Sequence, residues 1–593
     1  MMKDFLKYTL ATVTGLLIAG GVGLLLLIGV VSAMLSFSGT PVDVKDKSLL
    51  LMQLDEKIVE RSDKNPFNEL DLPGFAGVRQ LGLDDLLKAI EKAASDERIR
   101  GIYLNPSVID AGMGTVEEIR NALTAFKKSG KFIYAYGETL SQKAYYLISV
   151  ADKVVLNPRG LVEFQGISVK QGFFRNALEK LGVEVQVVRH GEFKAAVEPF
   201  VREDMSPENR LQTKTYIGSI WNQLLAGISA SRGLQTDELN DLADSVTTFR
   251  QAGFLRQKGL VDTLMYQDEV ISDLKKMTSV REHSDLRVID VRRYARVPGK
   301  TDGKGLAPDK VAVIYAVGEI DLSGDGDGLN RIDSKELSKT IREARRDSTV
   351  KAIVLRINSP GGDAYGAEII WREVMLAAGT KPVIASMGDV AASGGYYIAA
   401  PADTILADRT TLTGSIGIFG LIPNAGELLH DKLGVTQDVV NTNEHADALS
   451  LTRRMTGFEQ KLLQQYIEQG YDVFVERVAE GRGMSKAGVD EVARGRVWAA
   501  ENAMEIGLID GYGGVSDAVK LAAEKAGLER YRVVQLPKIK DPFEEWVKEF
   551  AGNARARILK SELGEHYPVY QGLKRLSQTR GILARMPYHV HIE

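Results

Sequence analysis

Three short stretches of this 593-residue chain could do chemistry together. The first is "VAASGGYYIAA", 390–400, which sets the hydroxyl of Ser393 among alanines and glycines. Small neighbours let a substrate backbone come close to that oxygen. Ala391-x-Ser393-x-Gly395 has the small-x-Ser-x-Gly form of a nucleophile elbow, with alanine in place of the first glycine. The β-branched "KPVIASMG" precedes it and the helical "GGYYIAAPA" follows, so Oγ should stand at a helix start with the N–H of Gly394 as an oxyanion donor. The second stretch is "NSPGGDAYGAE". Pro360 stops a strand, Gly361 and Gly362 turn, and a helix begins, leaving outward N–H groups able to hold an oxyanion. Each motif alone is also an ordinary turn. Their joint presence on neighbouring strand ends favours catalysis.

A serine needs a base. The seven histidines, His190, His283, His430, His445, His566, His589 and His591, lie in no triad context, and no HExxH pattern occurs. Lysine is the natural alternative. Deprotonating a free lysine of pKa ~10.4 near neutrality costs roughly 4–5 kcal/mol, and burial can remove most of that. The third stretch, "GEFKAAVEPF", offers Lys194 beside Phe193, Ala195, Ala196 and Val197. On its residues alone it remains one lysine among many. No cofactor or metal is implied: "DLSGDGDGLN", with carboxylates at 321, 325 and 327, misses the EF-hand spacing and reads as an acidic loop. "GKG" at 303–305 lacks a P-loop framework.

The elements that must hold these residues come from a duplication. Sliding the chain by 251 positions lays "RGIYLNPS" from Arg100 on "KAIVLRIN" from Lys351. In the same register Gly137 meets Gly388, Tyr145-Tyr146 meet Tyr396-Tyr397, and Gly166-Ile167 meet Gly417-Ile418. Each copy alternates short β-branched runs with helical segments such as "AEIIWREVMLAAG", which predicts parallel sheets covered by helices. The copies differ where chemistry is at stake. Ile109-Asp110-Ala111 stand opposite Pro360-Gly361-Gly362, and Gln142-Lys143 stand opposite Ser393-Gly394.

A net charge of -4 and the lack of a basic, aromatic-laced stripe argue against nucleic acid as a partner. The chain has no cysteine, which excludes thiolate chemistry and disulfides. After Lys7 no charge appears until Asp43, and "LLIAGGVGLLLLIGVVSAMLSF" is long enough to span a bilayer with the N-terminus cytoplasmic. The alternative is a signal peptide cut near "VSA", 31–33, although this apolar run exceeds the ~7–15 residues usual there. The expected domains are an anchor at 1–40, a repeat at 41–300, a second repeat at 301–540 and a helical tail at 541–593. "RVPGKTDGKGLAPDK" is the linker, and "EEWVKEFAGNARARILKSEL" is an amphipathic tail helix that packs on a neighbour or touches headgroups.

Taken together, the apolar N-terminus, the duplication, "NSPGG", "SMGDVAASGGYYIAAPAD", "TLTGSIGIFG" and "FKAAVEPFVREDMSP" resemble the long form of bacterial protease IV, the signal peptide peptidase A family. The resemblance implies duplicated Clp-protease-like, or crotonase-like, α/β domains behind one transmembrane helix. It implies Ser393 as nucleophile, Lys194 as general base and Ser415 of "TGSIG" as the residue that orients the lysine. Gly361, Gly362 and Gly394 would form the oxyanion hole. It also implies a homotetramer in the bacterial inner membrane, its catalytic part periplasmic, digesting spent signal peptides. Asp389 departs from the small or apolar residue expected beside the site, and could raise the lysine pKa if it faced it. The rivals are a CoA-dependent crotonase and a non-catalytic membrane scaffold.

Overall fold

The computed structural model describes residues 7–23, 25, 42–62, 80–298, 307–322, 331–538 and 581–586. Two largely parallel sheets form its centre, one from each copy. In the first, the order is Thr263–Leu264, Lys153–Val162, Phe132–Leu140, Ile99–Leu104, Ser48–Met52 and Val288–Asp290. In the second, Val350–Ser359 lies between Lys310–Val317 and Val383–Ala392, all parallel. These strands are buried almost throughout, as a sheet with helices on both faces requires.

The duplication survives element by element. Helix Met113–Lys127 corresponds to Ala364–Ala378, both of 15 residues, and the strands after them to one another. The long helices Pro207–Arg232 and Gly457–Arg482, both of 26 residues, also correspond.

The halves are not self-contained, which the boundary at 300 did not anticipate. A third sheet runs in the order Arg331–Asp333, Glu319–Asp321, Gly361–Asp363, Gly581–Arg585, Phe419–Asn424 and Glu184–Arg189. Its last strand comes from the first copy and pairs antiparallel with the second over six residues, from Phe419↔Arg189 to Asn424↔Glu184. The tail at 541–593, expected to be helical, contributes the strand Gly581–Arg585 to the same sheet. Two strand edges flank it and satisfy its backbone, which local helical preference could not foretell.

A buried charge network also crosses between the halves. Arg356, fully buried, donates to Glu60 at 2.8 Å and Glu118 at 2.5 Å, both in the first copy. Burial by itself would lower the guanidinium pKa; the two carboxylates outweigh it and hold the charge firmly in place. Glu117 accepts from the backbone and hydroxyl of Thr410 at 3.0 and 2.8 Å.

The N-terminal residues 7–23 are helical, and among the described residues no helix is long and apolar enough to cross a membrane. The remainder of the expected anchor, most of the linker, the acidic loop from residue 323 and the amphipathic tail helix lie outside the described residues.

Removing one member of a buried, hydrogen-bonded ion network strands the others. Arg356→Ala should cost about 3–5 kcal/mol in denaturant unfolding. A loss within about 1 kcal/mol would show that this network does not hold the halves together.

Candidate active site

Ser393 ends the strand Val383–Ala392 and immediately precedes the helix Gly394–Ala399. Its backbone sits at φ 56° and ψ −115°, a region that a residue with a Cβ rarely adopts. Such strain costs on the order of 1–3 kcal/mol and persists only where the surroundings fix it. Here the Ser393 N–H donates to the Gly414 carbonyl at 2.8 Å, and its own carbonyl accepts from the Tyr397 N–H at 2.8 Å. The residue is fully buried, with Oγ 3.4 Å from the Gly417 carbonyl oxygen.

Lys194 arrives from the other copy. The antiparallel pairing of Glu184–Arg189 with Phe419–Asn424 carries the loop that follows it into the second half's site. The amine lies 2.7 Å from Ser393 Oγ and donates to Ser415 O at 2.9 Å and Ser415 Oγ at 3.1 Å. Lys194 is 0% exposed, and burial alone pushes its pKa well below that of an ordinary lysine.

The loop is fixed by residues that sequence inspection missed. Gln212 donates to the Phe193 carbonyl at 3.1 Å and accepts from the Val497 N–H at 3.0 Å. The buried carboxylate of Glu198 accepts from Asn209 Nδ2 at 2.8 Å and the Ser206 N–H at 3.2 Å. The available signal was an acid inside an apolar run, "KAAVEPF". Gly495, at φ +82°, backs onto the lysine so closely that a Cβ there would lie 2.6 Å from Lys194 Cβ.

Gly361 and Gly394 face each other. At φ +95°, Gly361 is placed so that a Cβ would lie 2.6 Å from the Gly394 nitrogen and collide with the carbonyl oxygen of Ala584. The Gly361 N–H donates to Ser359 Oγ at 3.2 Å, so this amide already has a partner within the turn. Gly362 follows in strand register with Ala584.

The matching place in the first copy is plugged by side chains. Gln142, in the serine's position, accepts from the N–H groups of Gln165 and Gly166 at 3.1 Å each. Lys143, in the position of Gly394, donates to the Ala111 carbonyl at 2.9 Å, and Ala111 is the counterpart of Gly362. Asp389 faces away from the lysine: it accepts from the Thr115 N–H and hydroxyl at 2.8 and 2.9 Å and from Asn358 at 3.1 Å. It belongs to the seam between the copies. Among the described residues no cluster of His, Cys, Asp and Glu could hold a metal ion.

The model of peptidase family S49 matches residues 125–281 and 376–529, one stretch in each half. Protease 4 of Salmonella typhi is 36% identical over 524 residues, covering 86% of this chain and 83% of its own. The chain belongs to peptidase family S49. It is also similar to the chloroplastic serine protease SPPA of Arabidopsis thaliana, 34% identical over 513 residues, 85% of this chain and 74% of that one. A putative signal peptide peptidase SppA from Enterococcus faecium is 31% identical over 282 residues, 47% of this chain and 77% of that one. This S49 chain is a serine protease, so the thioester-enzyme and scaffold readings fall away.

The lysine gives a stability test with a defined sign. Its pKa is about 10.5 when unfolded and well below that when folded. Between the two values the unfolded chain binds the extra proton, so folded stability attributable to Lys194 rises as pH rises through that window. From pH 7 to pH 10 the parent should gain thermal stability relative to Lys194→Met. A difference that stays flat over that range would mean that the amine is charged in the fold.

Proposed function

We propose that Ser393 is the nucleophile and Lys194 the general base of a Ser/Lys dyad that digests cleaved signal peptides and other apolar peptides. The observation that carries this reading is a fully buried amine 2.7 Å from the serine hydroxyl. A neutral amine has two N–H groups and one lone pair. Ser415, the proposed orienting residue, accepts at both its carbonyl and its hydroxyl, which leaves the lone pair for the Ser393 proton.

In the proposed reaction Lys194 takes that proton as Oγ attacks a peptide carbonyl. Amides of the Gly361-Gly362 turn and of Gly394 are assigned to the developing oxyanion, the Gly361 N–H exchanging its resting bond to Ser359 Oγ for it. Protonated Lys194 then gives its proton to the departing amine, and water hydrolyses the acyl-enzyme. Each half is read as a Clp-protease-like, crotonase-type unit. The preference for apolar peptides is supported by the cluster of Leu178, Ala196, Val197, Phe419 and Leu421 beside the lysine loop. The name of the Enterococcus relative points to the same substrates. The uncharged run between Lys7 and Asp43 supports an inner-membrane anchor with the protease outside the cytoplasm, and the family resemblance supports a homotetramer.

Ser393→Ala and Lys194→Ala should each lower kcat/KM on an apolar peptide by at least about 10³-fold, and Ser393→Ala should abolish fluorophosphonate labelling. Substantial turnover by either folded variant sinks the dyad. In the parent, kcat/KM should climb with pH to a plateau, with a midpoint well below 10.5 set by Lys194. Gly361→Ala keeps the N–H but sets a Cβ 2.6 Å from the Gly394 nitrogen at φ +95°, so it should displace the turn and lower kcat/KM on the apolar peptide; an unchanged kcat/KM would count against this turn as the oxyanion site.

A further inference from the structure

The loop that carries Lys194 closes around a charge. Both peptide carbonyls flanking the lysine are held by side chains. Phe193 O accepts from Gln212 Nε2 at 3.1 Å, and Lys194 O accepts from Arg189 Nη1 at 3.1 Å. The two holders meet at Glu198. Gln212 Nε2 also donates to Asn209 Oδ1 at 3.2 Å, and Asn209 Nδ2 donates to Glu198 Oε2 at 2.8 Å. From the other side, Arg189 Nη1 stands 4.0 Å from Glu198 Oε1. A ring therefore runs from one carbonyl of the loop to the other through a single acid.

That acid lies beside an amine whose proposed role requires it to be neutral. Glu198 is fully buried, like Lys194. The groups that bond it, the Ser206 N–H at 3.2 Å and Asn209 Nδ2, are donors, so the side chain stands there as an acceptor-only carboxylate. Its Oε1 has no hydrogen-bond partner among the described residues and is paired across 4.0 Å with the Arg189 guanidinium. A buried negative charge without a counter-charge would favour a proton on an amine in the same apolar surroundings. Other charges around the loop are engaged with one another: Glu192 with Arg494 at 3.6 Å, Arg494 with Asp490 at 2.9 Å, and Arg202 with Asp204 at 3.2 Å. Arg496 lies over the Phe193 ring at 5.0 Å, and His190 stacks on the Tyr471 ring at 3.9 Å. Arg189 ends the exchanged strand Glu184–Arg189 in register with Phe419, so the strand that brings the lysine loop also delivers the counter-charge.

We infer that Glu198 and Arg189 are positioning residues for the reaction: the carboxylate ties down the two carbonyls flanking Lys194, and the guanidinium balances its charge so that the amine stays neutral. The inference rests on the dyad reading. Both residues act through the lysine, on its backbone and on the field at its nitrogen.

The test is the pH profile of kcat/KM on an apolar peptide, measured on the full chain in detergent, with one charge removed at a time. Glu198→Gln keeps the shape but leaves Arg189 unbalanced, and its midpoint should move to lower pH. Arg189→Gln leaves the anion unbalanced, and its midpoint should move to higher pH. At pH 7 its kcat/KM should fall at least about 3-fold and recover toward the parent's value at high pH. Arg189→Lys keeps the charge and should keep the parent's midpoint, and Arg189→Gln/Glu198→Gln should restore it. A loop that is only loosened admits water and raises the midpoint in both single variants. Movement in the same direction in both, or in neither, overturns the charge balance. If Arg189→Gln does not fold, Glu198→Gln decides alone: a midpoint that stays or rises overturns the inference. A Lys194→Ala chain that still turns over the peptide overturns the dyad itself.

Discussion

An amine kept out of water is the constraint on which this structure turns. Lys194 has no exposed surface, and burial is the cause of its lowered pKa. Water reaching that nitrogen would restore its charge and remove its basicity. The features around it serve that exclusion. Gly495 allows backbone to press against the lysine stem. Gln212 ties the Phe193 carbonyl to the strand Val497–Ala499, and Glu198 is clamped by Asn209 and Ser206. Ser415 accepts both N–H groups, so the neutral form loses no hydrogen bonds by leaving solvent.

With the Ser393 hydroxyl and the Lys194 amine on different copies, the site depends on the seam between them. Two devices fix that seam. One is the exchanged strand Glu184–Arg189, whose register with Phe419–Asn424 sets where the lysine loop emerges. The other is the polar network in which Arg356, Asn358, Asp389 and Thr410 of one copy meet Glu60, Glu118, Thr115 and Glu117 of the other. The first copy's own site is filled by Gln142 and Lys143, which bond the loop and turn that in the second copy surround Ser393. A duplicated fold thus pairs a serine with a lysine in one half and fills the matching place in the other with its own side chains.

The cleft follows from the same geometry. The turn at Gly361 and the strand Phe419–Asn424 present backbone toward one channel, and an extended chain satisfies both at once. The strand Gly581–Arg585 fills that channel, with Ala584 buried and Leu583 set among apolar side chains.

The sequence by itself determined the duplication, the alternation of strand and helix, and the two motifs around Ser393 and Gly361, because each is local or periodic and follows from residue type. It also displayed what the first copy lacks, since Gln142 and Lys143 cannot replace a serine and a glycine. Tertiary structure decided which lysine approaches the serine: Lys194 and Ser393 are 199 residues apart, and burial, the property that suits an amine to be a base, has no local signature. It decided likewise that Asp389 serves the seam, and that a stretch near the chain's end, legible only as part of a tail, lies as a strand between two edges whose unpaired backbone only the folded sheet creates.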